Sequence, residues 1–195
     1  MDLIVIRHAL PVRIANPDGS PADPPLSETG RQQAARLAAW LSKERIDALY
    51  ASPMRRALET AEPLADARAL EIAREPGLVE LDHRANAYVP MEELKAQDYD
   101  AWQALVRGGL YANIDVVAFR RGVVESFERI IAAHPRQRVA VVCHSGVINA
   151  WAAHVLGIEA PIFFDPGYTS IQRFLAASSG ERMVASLNEL AHLRD

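Results

Sequence analysis

Cysteine occurs once in the 195 residues, at Cys143, so no internal disulfide can form and a reducing compartment fits. Excess positive charge is missing too: 21 Lys and Arg stand against 25 Asp and Glu, a net charge of -4. That balance argues against nucleic acid or an anionic membrane as the main partner, and a bound anion must be met by a local cluster of arginines. No run approaches the ~18 apolar residues of a membrane span, and no basic stretch followed by a long apolar one opens the chain. These absences lead us to expect a protein of the cytoplasm. An HExxH pattern and tight groups of His and Asp are also lacking, so neither a metal nor another cofactor is expected. Internal repeats and low-complexity segments do not appear.

What is present is hydrophobic in 50% of its residues, enough for one sizeable core and too little for two ordinary domains. Strand and helix patterns alternate. "LIVI" at 3–6 is an unbroken aliphatic run, as a strand buried on both faces requires. Residues 11–25 hold five of the 12 prolines and read as a loop. "LSETGRQQAARLAAWLSKE" follows with apolar residues at helical spacing and Ser27 as N-cap. Short strands are expected at 47–52 and 69–73, separated by a helix that Ser52 caps and Pro53 opens. Residues 82–114 are polar and show no clear strand; they carry one helix near 91–107 ending at Gly108-Gly109 and resemble an insertion over an edge of the sheet. A helix at 117–134, the strand "RVAVVC", a helix at 146–156 stopped by Gly157, and two strands around a Ser-Gly turn complete the chain. The pattern predicts a single α/β domain over 1–195 with a mostly parallel sheet and a small cap-like insertion at about 82–114.

In open parallel sheets, ligands bind outside the carboxyl ends of the strands. His8, preceded by Arg7, and His144 both fall at such ends. Arg55 and Arg56 fall in the first turn of a helix, where the backbone already carries partial positive charge, so cations are unfavourable unless an anion joins them. Of this pair we expect Arg55 to extend into solvent.

The "RH" after the first strand, "LSETGRQQA", "SPMRRALETA" and "VCHSG" resemble, in order and over nearly the whole chain, the histidine phosphatase superfamily, the phosphoglycerate mutase-like group. The resemblance implies a three-layer α/β/α sandwich and a phosphatase that hydrolyses a small phosphomonoester through a phosphohistidine on His8. Arg7, Arg56 and His144 would bind the phosphoryl oxygens, with His144 charged and its pKa raised when it does so. Glu80, in "LVEL", matches the family's general acid, with Asp82 as understudy. Ser145 could lend a hydroxyl or amide to the phosphate or cap the helix behind it. A small phosphorylated substrate is then the partner, and a homodimer accords with the family's habit.

Departures bear on the branch. Ala9 stands where the family has glycine, which is harmless at negative φ and costly at positive φ. Leu10 and Asn16 do not reproduce the residues that follow the motif in phosphoglycerate mutases, and Ser145 replaces the aspartate of the acid phosphatase and phytase branch. Mutase-type phosphotransfer, a metal-dependent hydrolase and a non-catalytic phosphate-binding protein remain as alternatives. Ser27, Thr29, Arg13, His83 and Arg84 read as surface or capping residues, Cys143 as inert packing, and His134, His154 and His192 as surface or helix histidines.

Overall fold

The protein is described by a computed structural model covering residues 1–104 and 115–194. In chain order the elements are β1 (Asp2–Arg7), β2 (Ile14–Ala15), α1 (Glu28–Leu41), β3 (Ala48–Ala51), α2 (Arg55–Arg68), β4 (Ile72–Arg74), β5 (Ala87–Tyr88), α3 (Met91–Gln97), α4 (Tyr99–Ala104), α5 (Val116–Ala133), β6 (Arg138–Cys143), α6 (Ser145–Leu156), β7 (Ile171–Ala176) and β8 (Arg182–Glu189).

The aliphatic runs explain the architecture. In β1, Leu3 and Val5 join one core while Ile4 and Ile6 join another; in β6, Val139, Val141 and Cys143 split from Ala140 and Val142 in the same way. A strand with a core on each face must be apolar at every position. The first core is closed by α5 and α6 through Val123, Phe127, Ile148 and Trp151, the second by α1 and α2 through Leu37, Leu41, Ala61 and Leu64. Phe127 and Trp151 pack with ring centroids 4.9 Å apart and planes tilted by 31°. Each such fully buried large side chain contributes on the order of 1.5–3 kcal/mol. The expected three-layer α/β/α sandwich is the result.

Six strands lie in the order β4-β3-β6-β1-β7-β8. The first four run parallel, and the pairings of β7 with β1 and with β8 are antiparallel. β1 and β6 are direct neighbours, with Arg7 opposite Cys143, and the His8 N–H donates to the Cys143 carbonyl at 2.8 Å. The chain leaves β1 for the α1 face and leaves β6 for the α6 face. A crevice therefore opens at the carboxyl ends of these two strands.

Several expectations are corrected. Residues 82–114 do contain a strand, β5, which pairs with β2 inside the proline-rich loop; two residues a side carry no sequence signal, and the pair forms because the two loops meet. The helix expected at 91–107 is two, α3 and α4, broken at Asp98, whose extended φ of -148° ends the first. Its expected end at Gly108-Gly109 lies outside the described residues. Ser52 is no helix cap: α2 begins at Arg55 after Met54, and Asp23 caps it by accepting from the Arg55 N–H at 2.9 Å. His192 is buried rather than superficial, hydrogen-bonded through Nε2 to Thr169 Oγ1 at 2.9 Å.

Candidate active site

Local braces hold the segment that follows β1. Ser27 caps α1, accepting from the Gly30 N–H at 3.0 Å, and its hydroxyl donates to the Leu10 carbonyl at 2.9 Å. Gln33 accepts from the Leu10 N–H at 3.0 Å. A Cβ on Gly30 would lie 2.0 Å from the Leu10 carbonyl oxygen, so only glycine lets the helix approach this closely. From α2, Thr60 accepts from the Ala9 N–H at 2.9 Å and donates to the Arg56 carbonyl at 2.6 Å. Ser27, Gly30 and Gln33 of "LSETGRQQA" and Thr60 of "RRALETA" thus fix the backbone beside His8, and Thr29 is exposed. Ala9 is not among the residues with positive φ and packs with Leu26 and Ala34, so the replacement of glycine brings no strain.

His8, Arg56 and His144 come together, with Arg7 beside them. All four are buried. The His8 Nδ1 contacts the Ala9 carbonyl at 2.8 Å. A carbonyl can only accept, so Nδ1 carries the proton and Nε2 keeps its lone pair. Arg56 Nε donates to that Nε2 at 3.3 Å. The rings of His8 and His144 have centroids 5.1 Å apart. Burial, then Arg56 and Arg7, hold the His8 imidazole well below its ordinary pKa and keep it neutral. A neutral, buried imidazole with a fixed lone pair can attack an electrophile, and guanidinium groups beside it can hold an anionic one.

His144 precedes the first turn of α6 and is hydrogen-bonded through Nε2 to Ser52 Oγ at 2.8 Å. Burial, followed by Arg56, His8 and Arg7, lowers its pKa. This is opposite to the rise expected on phosphate binding, and the cationic neighbours responsible are those a phosphoryl group would neutralise. Arg7 Nε, Arg56 Nη1 and His144 Nδ1 are buried with no hydrogen-bond partner among the described residues. Leaving such groups unpaired is costly, and an oxyanion satisfies the arginines directly.

Glu80 lies behind this cluster, accepting from the Leu81 N–H at 2.9 Å and the Gly146 N–H at 3.0 Å. Burial, reinforced by the Asp82 charge, raises its carboxyl pKa, which suits a group that must hold a proton. A Cβ on Gly146 would come within 2.3 Å of Glu80 Oε1, so the glycine of "HSG" makes room for this carboxylate. Asp82 is exposed and reaches Arg56 at 3.5 Å. Ser145 does not cap: it is the first residue of α6, and its hydroxyl makes no hydrogen bond among the described residues.

Sequence reasoning missed Tyr168, Tyr88 and Ser52. The Arg7 guanidinium lies over the Tyr168 ring at 3.9 Å, and that ring has its centroid 5.7 Å from the His8 ring. Arg56 lies over Tyr88, from β5, at 4.8 Å. "PGYTS" just before β7 held a faint signal for Tyr168, a turn leading into a strand; Tyr88 had none. Arg55 is exposed, as expected of it, and pairs with Glu59 at 2.6 Å. Among the described residues no group of three or more His, Cys, Asp or Glu could hold a metal ion, and no helix is long and apolar enough to cross a membrane.

Residues 3–189 match the model of the histidine phosphatase superfamily, branch 1. Phosphoserine phosphatase 1 of Hydrogenobacter thermophilus is 30% identical over 98% of this chain and 93% of its own length. Among solved structures, Bacillus stearothermophilus YhfR aligns with a TM-score of 0.78 at 25% identity, covering 99% of both chains. A mycobacterial glucosyl-3-phosphoglycerate phosphatase shares the fold, with a TM-score of 0.76 at 21% identity over 97% of this chain and 99% of its own. The chain belongs to the histidine phosphatase superfamily. It is an enzyme of the phosphatase class.

Proposed function

We propose that the enzyme hydrolyses small phosphomonoesters in two steps through a phosphohistidine on His8. The observation that carries this reading is the pairing of His8 Nδ1 with the Ala9 carbonyl, which leaves Nε2 as a lone-pair nitrogen beside Arg56. In the first step the Nε2 lone pair attacks phosphorus, the bond from phosphorus to the ester oxygen breaks, and Glu80 gives its proton to the departing alkoxide. Arg7, Arg56 and His144 hold the three equatorial oxygens, where the charge of the transition state is spread. The Ser145 amide, at the positive end of α6, adds a further donor. In the second step Glu80 takes a proton from water, the resulting hydroxide attacks phosphorus, the bond from nitrogen to phosphorus breaks, and His8 returns with inorganic phosphate released. The chain acts as one domain, with the described part of the segment expected at about 82–114, residues 82–104, serving as a cap; 105–114 lie outside the described residues.

Hydrolysis of p-nitrophenyl phosphate by wild type and His8→Ala, each with and without EDTA, tests the reading. Activity that survives chelation and vanishes in the variant, with acid-labile phosphate trapped on the wild type by rapid quench, is expected. Activity abolished by EDTA and kept by His8→Ala would overturn it.

A further inference from the structure

The buried donors account for the phosphoryl group and leave a second feature without a role, an acidic rim. Glu92 lies 3.3 Å and Asp165 3.8 Å from the same nitrogen of Arg7, and their side chains are 48% and 86% exposed. Asp82 meets Arg56 at 3.5 Å and is 44% exposed. None of these is the main anchor of its arginine: Arg7 donates to the Pro166 carbonyl at 2.6 Å and packs on Tyr168. Meanwhile Arg7 Nε and Arg56 Nη1 remain buried and unpartnered among the described residues, an independent sign that a ligand completes this end of the pocket.

The electrostatics change when a phosphomonoester dianion is bound. The two guanidinium groups then face its oxygens, and the rim carboxylates lose the charge that balanced them. Local cations do little to replace it. Arg13 pairs with Glu93 at 3.5 Å and Lys95 lies over Trp102 at 4.7 Å; of the cations in these segments, Arg84 has no partner among the described residues. Glu92 and Asp165 lie 3.3 Å and 3.8 Å from one nitrogen, so both carboxylates border the same spot beside Arg7 where a compact cation can be met. A second anion in the substrate would instead meet three carboxylates.

Resting on the phosphatase reading above, we infer that the preferred substrate is a phosphomonoester whose organic part carries an ammonium group, held by Glu92 and Asp165 with Asp82 at the side. Discrimination of this kind is a difference between transition-state energies and shows in kcat/KM.

The test compares phosphoethanolamine, glycerol 3-phosphate and 3-phosphoglycerate, with p-nitrophenyl phosphate as a measure of turnover. Wild type should prefer phosphoethanolamine over 3-phosphoglycerate by roughly tenfold or more, and added salt should shrink the ratio. Glu92→Gln/Asp165→Asn should bring the ratio near one, and Asp165→Lys, at a site too exposed to threaten folding, should invert it. Equal rates for the three esters in the wild type would overturn the inference while leaving the phosphatase reading intact. So would Glu92→Gln raising all rates alike, which would make the carboxylate only a competitor for Arg7. Loss of p-nitrophenyl phosphate turnover, or its persistence in His8→Ala, would bring down both.

Discussion

His8, Arg56 and His144 are each 2% exposed or less, whereas the carboxylates that meet the same guanidinium groups from outside are open to solvent. The floor of the pocket comes from strand ends and a helix whose backbones are braced on every side. The rim carboxylates come from α3 and irregular segments and meet the floor through ion pairs of 3.3–3.8 Å. In the floor a misplaced nitrogen has nowhere to relax and each charge is undiluted by water. In the rim, water and side-chain motion weaken each contact. On the proposed reading, the chemistry is built where geometry is stiff, and selectivity where substitution is tolerated.

The largest effect should come from removing the Nε2 lone pair. In His8→Ala, p-nitrophenyl phosphate turnover should fall by about 10³-fold or more, with the thermal midpoint read alongside to show that the fold survives. Arg56→Lys keeps the charge but loses the fork and the donor on His8, and kcat should fall by about 10²–10³-fold. A decline confined to KM would place Arg56 in the rim's category. Glu80→Gln should cost about 10²-fold with phenolic leaving groups and more with alkyl ones, because poorer leaving groups depend more on protonation. An equal loss for both classes would remove Glu80 from the role of acid.

The same contrast was uneven in the sequence. Aliphatic runs ending in His8 and His144 announced the strands, because a strand between two cores has no polar alternation, and the family motifs carried Arg7, Arg56 and Glu80. Ser52 was misread because a serine before Pro53 is a good cap on local grounds, and only the fold reveals that His144 claims it. Tyr88 was invisible because a strand of two residues exists only through its partner, Ile14. The motifs around Ser27, Gly30 and Thr60 were legible as a pattern but not as a purpose, which is to hold backbone.

A smaller effect concerns pH. His8 and His144 take up protons in the unfolded chain at about pH 6.5 but resist them when folded, since burial and the arginines lower both values. Folding stability should fall as pH drops from about 6.5 toward the folded values, each histidine contributing up to about 1.4 kcal/mol per pH unit. Glu80, with its raised value, opposes this more weakly, being one group against two. Denaturant titrations across that range should show the slope shrinking in His144→Asn; an unchanged slope would mean the folded protein admits the proton. The smallest effect belongs to Ala9→Gly. It should leave kcat near wild type and destabilise by about 0.4–1 kcal/mol through the unfolded chain, because Ala9 already has an ordinary backbone conformation.

The hydrogen bond from the His8 N–H to the Cys143 carbonyl has a consequence for how the enzyme comes into being. It joins the start of the chain to a strand completed more than a hundred residues later, so the ribosome must deliver β6 before the two histidines can meet. Contacts this distant in sequence form late and slowly. No nascent or truncated chain ending before β6 can hold the two together, and a stalled fragment has no means of dephosphorylating anything by this route. The distance between the histidines is set by the spacing of adjacent strands, about 4.8 Å, and owes nothing to the length of what lies between. Segments of many sizes can therefore be exchanged in that interval without disturbing the pair to which the proposed chemistry is assigned.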